Sequence, residues 1–281
     1  MPELPEVETV RRALEPVLEQ QFISAVFVGR NDLRWPLPQN LSARLRGRRF
    51  TNVDRRGKYI LMTLDDKDVL LLHLGMSGSI RVYETAPNLR KHDHIMLTVA
   101  ASQQAGSDAS CHVVLNDPRR FGWIDLFSLV DQGTHKLLQH MGPEPLGNDF
   151  SAEHLQTVFA GRKISIKNAL LNQRLIAGIG NIYASEALFQ AGISPRRKAA
   201  TIFGERAARL ANAIVRILRA AIEDGGTSLR DHIQPGGEIG YFAQRLAVYG
   251  RTGQPCQVCA TPIKMILQTG RASFYCPRCQ H

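Results

Sequence analysis

The spacing of apolar positions changes twice along the chain. Residues 5–18 read as a helix: Val7, Val10, Leu14, Val17 and Leu18 fall on one stripe, Pro5 suits the first turn, and Glu6 and Glu8 suit its positive end. Pro16 predicts a late kink or stop. Apolar residues then gather in short β-rich runs divided by turn signals, clearest at Phe22–Val28, Tyr59–Leu64, 69–74, 95–99 and 123–129. Short strands without intervening helices predict an antiparallel β-sandwich, and the small polar stretch 101–110 an exposed hairpin loop. After the Gly- and Pro-containing segment 141–147 the period lengthens, predicting helices over 151–159, 164–175, 182–191 and 200–224. Leu210, Ile214, Ile217, Leu218 and Ile222 form the apolar stripe of the last. The expected class is α+β: a sandwich over 1–131 with a leading helix, a linker over 132–150, a helical domain over 151–252 and a terminal hairpin over 253–281. A Gly- and Pro-rich flexible loop is expected at 234–240.

Composition narrows the function classes. The 281 residues are 44% hydrophobic and 21% charged, as in folded globular chains, and no apolar run approaches the ~18 residues of a spanning helix. Glu3, Glu6 and Glu8 stand where a secretory signal needs basic residues, so a cytoplasmic protein is expected, neither membrane-bound nor secreted. Charge is divided unevenly. Residues 1–161 hold 18 Lys+Arg and 19 Asp+Glu; residues 162–281 hold 35 − 18 = 17 and 25 − 19 = 6, a net of +11. A positive excess confined to one part of the chain is the footprint of a polyanion binder, most often of nucleic acid.

Four of the five cysteines form one pattern, Cys256-x-x-Cys259, sixteen residues, then Cys276-x-x-Cys279. Each pair is a two-sulfur pincer, and two pincers on a hairpin predict one tetrahedral Zn2+ site, structural because four thiolates leave no position open for water. Cys111 stands in an apolar run and is expected in the core. Generic motifs fail on inspection. Gly178-Ile-Gly180 lacks the third glycine of a dinucleotide fingerprint, Gly57-Lys58-Tyr59 lacks the hydroxyl of a phosphate loop, and His92-Asp93-His94 implies no third metal ligand.

Met1-Pro2-Glu3-Leu4-Pro5-Glu6-Val7-Glu8 resembles the opening signature of the bacterial formamidopyrimidine-DNA glycosylase family. The likeness continues in family order through Lys58, His73-Leu-Gly-Met76, Asn116-Asp-Pro-Arg119-Arg-Phe121, Gly180-Asn181-Ile-Tyr-Ala-Ser-Glu186 and Arg271 on the cysteine hairpin. It implies a repair enzyme that acts as a monomer on double-stranded DNA containing an oxidised base, excising 8-oxoguanine and formamidopyrimidines and then cleaving the abasic site, in use on the bacterial nucleoid. The resemblance also assigns roles. Once Met1 is removed, Pro2 is the amine that attacks the sugar; a terminal amine titrates near ~8, against ~10.4 for lysine, so a neutral fraction is present at neutral pH. Glu3 shuttles protons, Glu6 supports the geometry, and Lys58 contacts the lesion strand and assists excision. Met76, Arg119 and Phe121 fill the stack vacated by the extruded nucleotide. Asn181, in a helix–two-turns–helix motif, and Arg271 bind phosphates beside the lesion, Arg271 also serving the second elimination. The 234–242 loop covers the flipped base. Two other readings stand beside this one: an endonuclease VIII-type glycosylase for oxidised pyrimidines, whose group lacks the Arg119–Phe121 pairing element, and a non-catalytic nucleic-acid-binding protein of the same architecture.

Overall fold

The structure is a computed structural model and describes residues 1–101, 110–227 and 241–281. The interior of the expected 101–110 loop, and the 234–242 loop up to residue 240, lie outside the described residues. The chain forms two compact units, Met1–Gln139 with Gly225–Tyr241, and His140–Asp224 with Phe242–His281.

The first unit opens with α1 (Leu4–Leu18), which buries Val7, Val10, Leu14 and Leu18 of the expected stripe, leaves Val17 half-buried and ends two residues after Pro16, which lacks a donor. Eight strands follow: β1 (Phe22–Val28), β2 (Phe50–Arg56), β3 (Tyr59–Leu64), β4 (Asp68–His73), β5 (Ser79–Tyr83), β6 (Asp93–Ala100), β7 (Ser110–Asn116) and β8 (Trp123–Ser128), with a short α2 (Leu41–Leu45) after β1. They pair antiparallel in two four-stranded sheets, β1-β6-β7-β5 and β2-β3-β4-β8. Leu14 of the helix, Ile60, Met62 and Leu72 of one sheet, and Leu97 and Leu115 of the other share one apolar core, which is the predicted sandwich. Burying each such side chain contributes roughly 1.5–3 kcal/mol. Three strands escape the sequence pattern. Two of them, β2 and β5, are sheet edges, and β2 commits only Phe50 and Val53 to the core among polar neighbours. The third, β7, carries Cys111, which is half-buried and packs against the core as expected.

The second unit comprises α3 (Ala152–Phe159), α4 (Ile166–Leu170), α5 (Asn181–Gln190), α6 (Glu205–Glu223) and the hairpin β9 (Lys264–Gln268)–β10 (Arg271–Tyr275). Hydroxyl caps start α3 and α4: Ser151 Oγ accepts from the His154 N–H at 3.2 Å and Ser165 Oγ from the Asn168 N–H at 3.3 Å. The helix expected over 164–175 is shorter than its apolar content suggests. After Leu170 the chain turns twice before α5 opens, with Gln173 holding the turns by Nε2 to the Ile179 carbonyl and Oε1 to the Gly178 N–H. The predicted stripe of α6 is buried in full. No helix among the described residues is long and apolar enough to cross a membrane.

Candidate functional site

Chain termini usually fray, yet residues 2–7 are buried. A reciprocal capping box explains how: the Glu3 carboxylate accepts from the Glu6 N–H, and Glu6 Oε2 accepts from the Glu3 N–H at 2.8 Å. The other Glu6 oxygen accepts from the Thr227 N–H at 2.8 Å, so one buried carboxylate ties the start of α1 to the 225–227 segment of the same unit. Glu3 and Glu6 retain only 3% and 2% of their surface, a desolvation no ordinary helix start requires. Lys58 is also buried, in the two-residue turn between β2 and β3. That turn is anchored to α1 through Arg55, whose Nε meets Glu8 Oε2 at 3.0 Å and whose Nη1 donates to the Gly57 carbonyl at 2.9 Å. The reading from sequence took Glu8 only as an acid near the helix start and passed over its pairing with Arg55, whose signal was an arginine in an otherwise edge-like strand.

Beside Lys58, at the end of β4, His73 Nδ1 accepts the Gly75 N–H at 3.0 Å, which places the ring proton on Nε2. Burial, and then the charges of Lys58 and Arg34, hold the His73 pKa down at about 4. The folded pKa lies below the unfolded value of 6.5, so between these limits the unfolded chain binds more protons and native stability falls as pH drops from about 6.5 to about 4. His73→Gln is expected to remove a part of that acid sensitivity on the order of 2 kcal/mol, measured as the difference in urea unfolding free energy at the two ends of the range. Equal acid sensitivity in both proteins would refute it.

A second group in the same unit joins Met76, Arg119 and Phe121. Met76 and Phe121 are exposed at 38% and 39%, unusual for large apolar side chains on a sandwich, and Arg119 is exposed between them in sequence. The fully buried Asp117 arranges their two turns: Oδ1 accepts from Ser77 Oγ at 2.8 Å and Oδ2 from the Gly122 N–H at 2.7 Å, while Ser77 Oγ accepts the Arg119 N–H at 3.2 Å. Gly75 has φ +66 and lies so close that a Cβ would sit 2.3 Å from the Phe121 carbonyl, so only glycine lets the turns meet. The Arg119 guanidinium carbon stands 4.9 Å from the Phe121 ring centroid. Nothing in the sequence reading singled out Asp117, although an acid before proline in a turn was its available signal.

The second unit holds Asn181, Arg271 and the cysteines. Asn181 is the first residue of α5 and Gly180 is its cap, so the asparagine side chain is spent elsewhere. Its Oδ1 accepts from Lys167 Nζ and its Nδ2 donates to the Ala272 carbonyl, both at 2.9 Å, joining α4 and α5 to β10 next to Arg271. Lys167 is a 1%-exposed cation that also meets Ser185 Oγ at 2.9 Å and Ser273 Oγ at 3.4 Å, and it fixes which way the Asn181 amide faces. The sequence showed only a lysine among apolar residues. Glu186 of α5, its pKa raised by burial, accepts the N–H groups of Ala247, Val248 and Tyr249 at 2.9, 3.0 and 2.8 Å and secures the chain leading into the hairpin. Arg271 follows the Thr269–Gly270 turn, both residues with positive φ as a two-residue hairpin demands, and its side chain is exposed.

The four thiols at the base of this hairpin lie within 4.8 Å of one another. Sulfur separations of 3.5 Å (Cys259–Cys276), 3.4 Å (Cys259–Cys279) and 3.9 Å (Cys256–Cys279) bracket the roughly 3.8 Å edge of a tetrahedron with ~2.3 Å zinc–sulfur bonds. Backbone N–H groups of Val258 and Cys279 point at Cys256 and Cys276 sulfur, each at 3.4 Å, as thiolates favour. The donor set fits one structural Zn2+, held by Cys256, Cys259, Cys276 and Cys279.

A sandwich with a buried acidic terminus and a helical unit carrying a four-cysteine ribbon define an α+β zinc-ribbon protein. Comparison with known proteins specifies the kind. Residues 1–124 match the formamidopyrimidine-DNA glycosylase N-terminal domain, 141–232 the formamidopyrimidine-DNA glycosylase H2TH domain, and 253–281 the zinc finger found in FPG and IleRS. The formamidopyrimidine-DNA glycosylase of Jannaschia sp. (strain CCS1) is 50% identical over 100% of both chains. The MutM (FPG) protein of Thermus thermophilus superposes with a TM-score of 0.86 at 39% identity, over 99% of this chain and 98% of that one. A MutM in complex with carbocyclic 8-oxo-G containing DNA does so with a TM-score of 0.87 at 34% identity over 100% of both. The chain belongs to the formamidopyrimidine-DNA glycosylase family.

Proposed function

We propose that this chain excises oxidised purines, 8-oxoguanine and formamidopyrimidines, from duplex DNA and cleaves the resulting abasic site, with Pro2 as the nucleophile. The observation that carries the reading is the buried terminus, where two nearly inaccessible carboxylates are fixed beside Pro2 by the capping box and the Thr227 N–H. With Met1 removed, the Pro2 nitrogen attacks C1′, the base leaves with the bond's electrons and is protonated, and the opened sugar becomes an iminium. That electron sink acidifies C2′–H; loss of this proton expels the 3′ phosphate, and a second elimination expels the 5′ phosphate. Glu3 is the proton shuttle for ring opening and elimination. Glu6 positions the terminus, and Lys58 attends the lesion strand. Met76, Arg119 and Phe121 enter the vacated stack, Arg119 facing the orphaned cytosine; their exposure on two mutually braced turns supports this. Asn181 and Arg271 take phosphates, the latter assisting the second elimination, with zinc serving indirectly by keeping the hairpin folded. In this division of labour catalysis belongs to 1–131, DNA binding to 151–252 and the zinc hairpin to 253–281, joined by a linker over 132–150. The enzyme is expected to work as a monomer in the bacterial cytoplasm, on the nucleoid. The complex of a relative with 8-oxo-G DNA and the names of the curated relatives favour purine over pyrimidine lesions.

The test is borohydride trapping on a duplex with one 8-oxoguanine opposite cytosine, followed by peptide mapping. The expected adduct is on Pro2. Excision at a normal rate by a protein shown by mass to retain Met1 would overturn the mechanism.

A further inference from the structure

The helix that begins beside Pro2 is strapped along the open edge of β2. An edge strand turns half of its backbone groups away from the sheet, and side chains of α1 cover them here in place of a further strand. The Val53 N–H donates to Glu19 Oε1 at 2.9 Å, and the Val53 carbonyl accepts from Arg11 Nη1 at 3.1 Å. Just past the helix, the Gln20 N–H donates to the Phe50 carbonyl at 2.7 Å. Toward the far end of the strand, Arg55 Nε meets Glu8 Oε2 at 3.0 Å. Glu8, Arg11 and Glu15 recur at helical spacing, and Arg11 Nη1 also meets Glu15 Oε2 at 3.1 Å, so one polar stripe of α1 supplies the straps. Helix and strand therefore run antiparallel, and the start of α1 lies where β2 turns into Lys58.

Arg55 is the strap nearest that turn. Its side chain is 10% exposed and that of Glu8 13%. One guanidinium serves two partners, Nε the Glu8 carboxylate and Nη1 the Gly57 carbonyl at 2.9 Å. Gly57, with φ +57, stands immediately before Lys58, so the fork bears on the residue that directs the lysine. A planar guanidinium holds two acceptors at a set angle, which a lysine ammonium does not. Burial opposes the charge on Glu8, yet Arg12, Arg11 and Arg55 together hold its carboxyl below the usual carboxylate range. The strap is thus charged at neutral pH.

We propose that Arg55 is a positioning residue for excision: bonded to Glu8 and to the Gly57 carbonyl, it fixes the Lys58 turn against the start of α1 and so sets the separation between Lys58 and the Pro2 amine. The proposal rests on the reading of the chain as a glycosylase in which Pro2 attacks and Lys58 assists excision. Arg55 acts through Lys58 and touches no substrate, so its loss slows the chemical step and leaves lesion binding in place.

The test is single-turnover excision of 8-oxoguanine at saturating enzyme for wild type, R55Q and E8A, with Kd for the same duplex measured alongside. R55Q leaves Glu8 paired with Arg11 and Arg12, so no charge is orphaned in the variant. Its excision rate constant is expected to fall by about 10–100-fold, the loss that a misplacement of about 1 Å brings, with Kd close to that of wild type. E8A/R55Q is expected to be no slower than the slower single variant, because both substitutions break one contact. Added to K58Q, R55Q is expected to cost little more, because its effect passes through Lys58. Urea midpoints and amide protection in α1 and β2 report folding. Normal excision by R55Q overturns the proposal. So does a loss that follows the folded fraction, or one that R55Q imposes equally on K58Q, either of which marks a merely structural role. Borohydride trapping of wild type in the same preparations separates the two readings. A wild type without a Pro2 adduct defeats the glycosylase mechanism and the positioning role with it, whereas a trapped wild type and an unslowed R55Q defeat the positioning role alone.

Discussion

Replacing Glu3 by glutamine is expected to slow excision of 8-oxoguanine by about 10²–10⁴-fold, the range that a positioned proton-transfer group contributes. Glutamine keeps an oxygen to accept the Glu6 N–H, so the capping box survives and the loss is chemical. Single-turnover kinetics at saturating enzyme isolates the step. A preformed abasic site already presents some open-chain aldehyde, which an amine attacks without help in opening the ring. Trapping on an abasic duplex is therefore expected to fall much less than excision of the intact lesion. A variant equally slow on both substrates would move Glu3 from proton transfer to positioning of Pro2. A variant with normal excision would remove it from the chemistry.

Cys276→Ser is expected to have the largest structural effect. It leaves three thiolates in place of the four that close the tetrahedron, and metal binding in such ribbons is worth on the order of 10 kcal/mol of folding free energy. Among the described residues the apolar cluster around the sulfurs buries Val248, Ile263, Cys256 and Cys276, with Phe189, Phe274, Cys259 and Cys279 partly covered. That is too small a core to stand without the metal. The expected result is zinc content near zero, loss of amide protection in β9 and β10, and loss of tight lesion binding as Arg271 is set adrift. The sandwich keeps its own core and is expected to stay folded, so its protected amides serve as the internal control. Retention of zinc and of DNA affinity by Cys276→Ser would contradict the assignment of that ligand.

How much the sequence disclosed depended on which forces set each feature. Periodicity placed α1, β1 and β3 within a residue, because local burial alone dictates them. It overran α4, since apolar residues continue to Leu175 while the chain past Leu170 is bent by Gln173 and backbone bonds that no local pattern records. It passed over β2 and β5, which are held by neighbours in the sheet more than by their own composition. Recurring motifs indicated Pro2, Glu3, Lys58 and Arg271, but not the residues that hold them. Asp117, Lys167 and the pair Glu8–Arg55 act through partners 5 to 106 positions away, so their meaning exists only once the chain has folded.

The cysteine ribbon has one further consequence, for the circumstances in which the enzyme is needed. Its proposed substrates are products of oxidants, and the proposed grip of Arg271 on DNA rests on a hairpin held by thiolate sulfur, which the same oxidants attack. Cys256 and Cys276 are buried, whereas Cys259 and Cys279 are partly open to solvent. Peroxide thus raises the number of lesions and, at the two accessible sulfurs, erodes the supply of competent enzyme. On that reading, repair capacity under oxidative stress is a race between these two, and a zinc ion occupying the thiolates would slow the loss of enzyme.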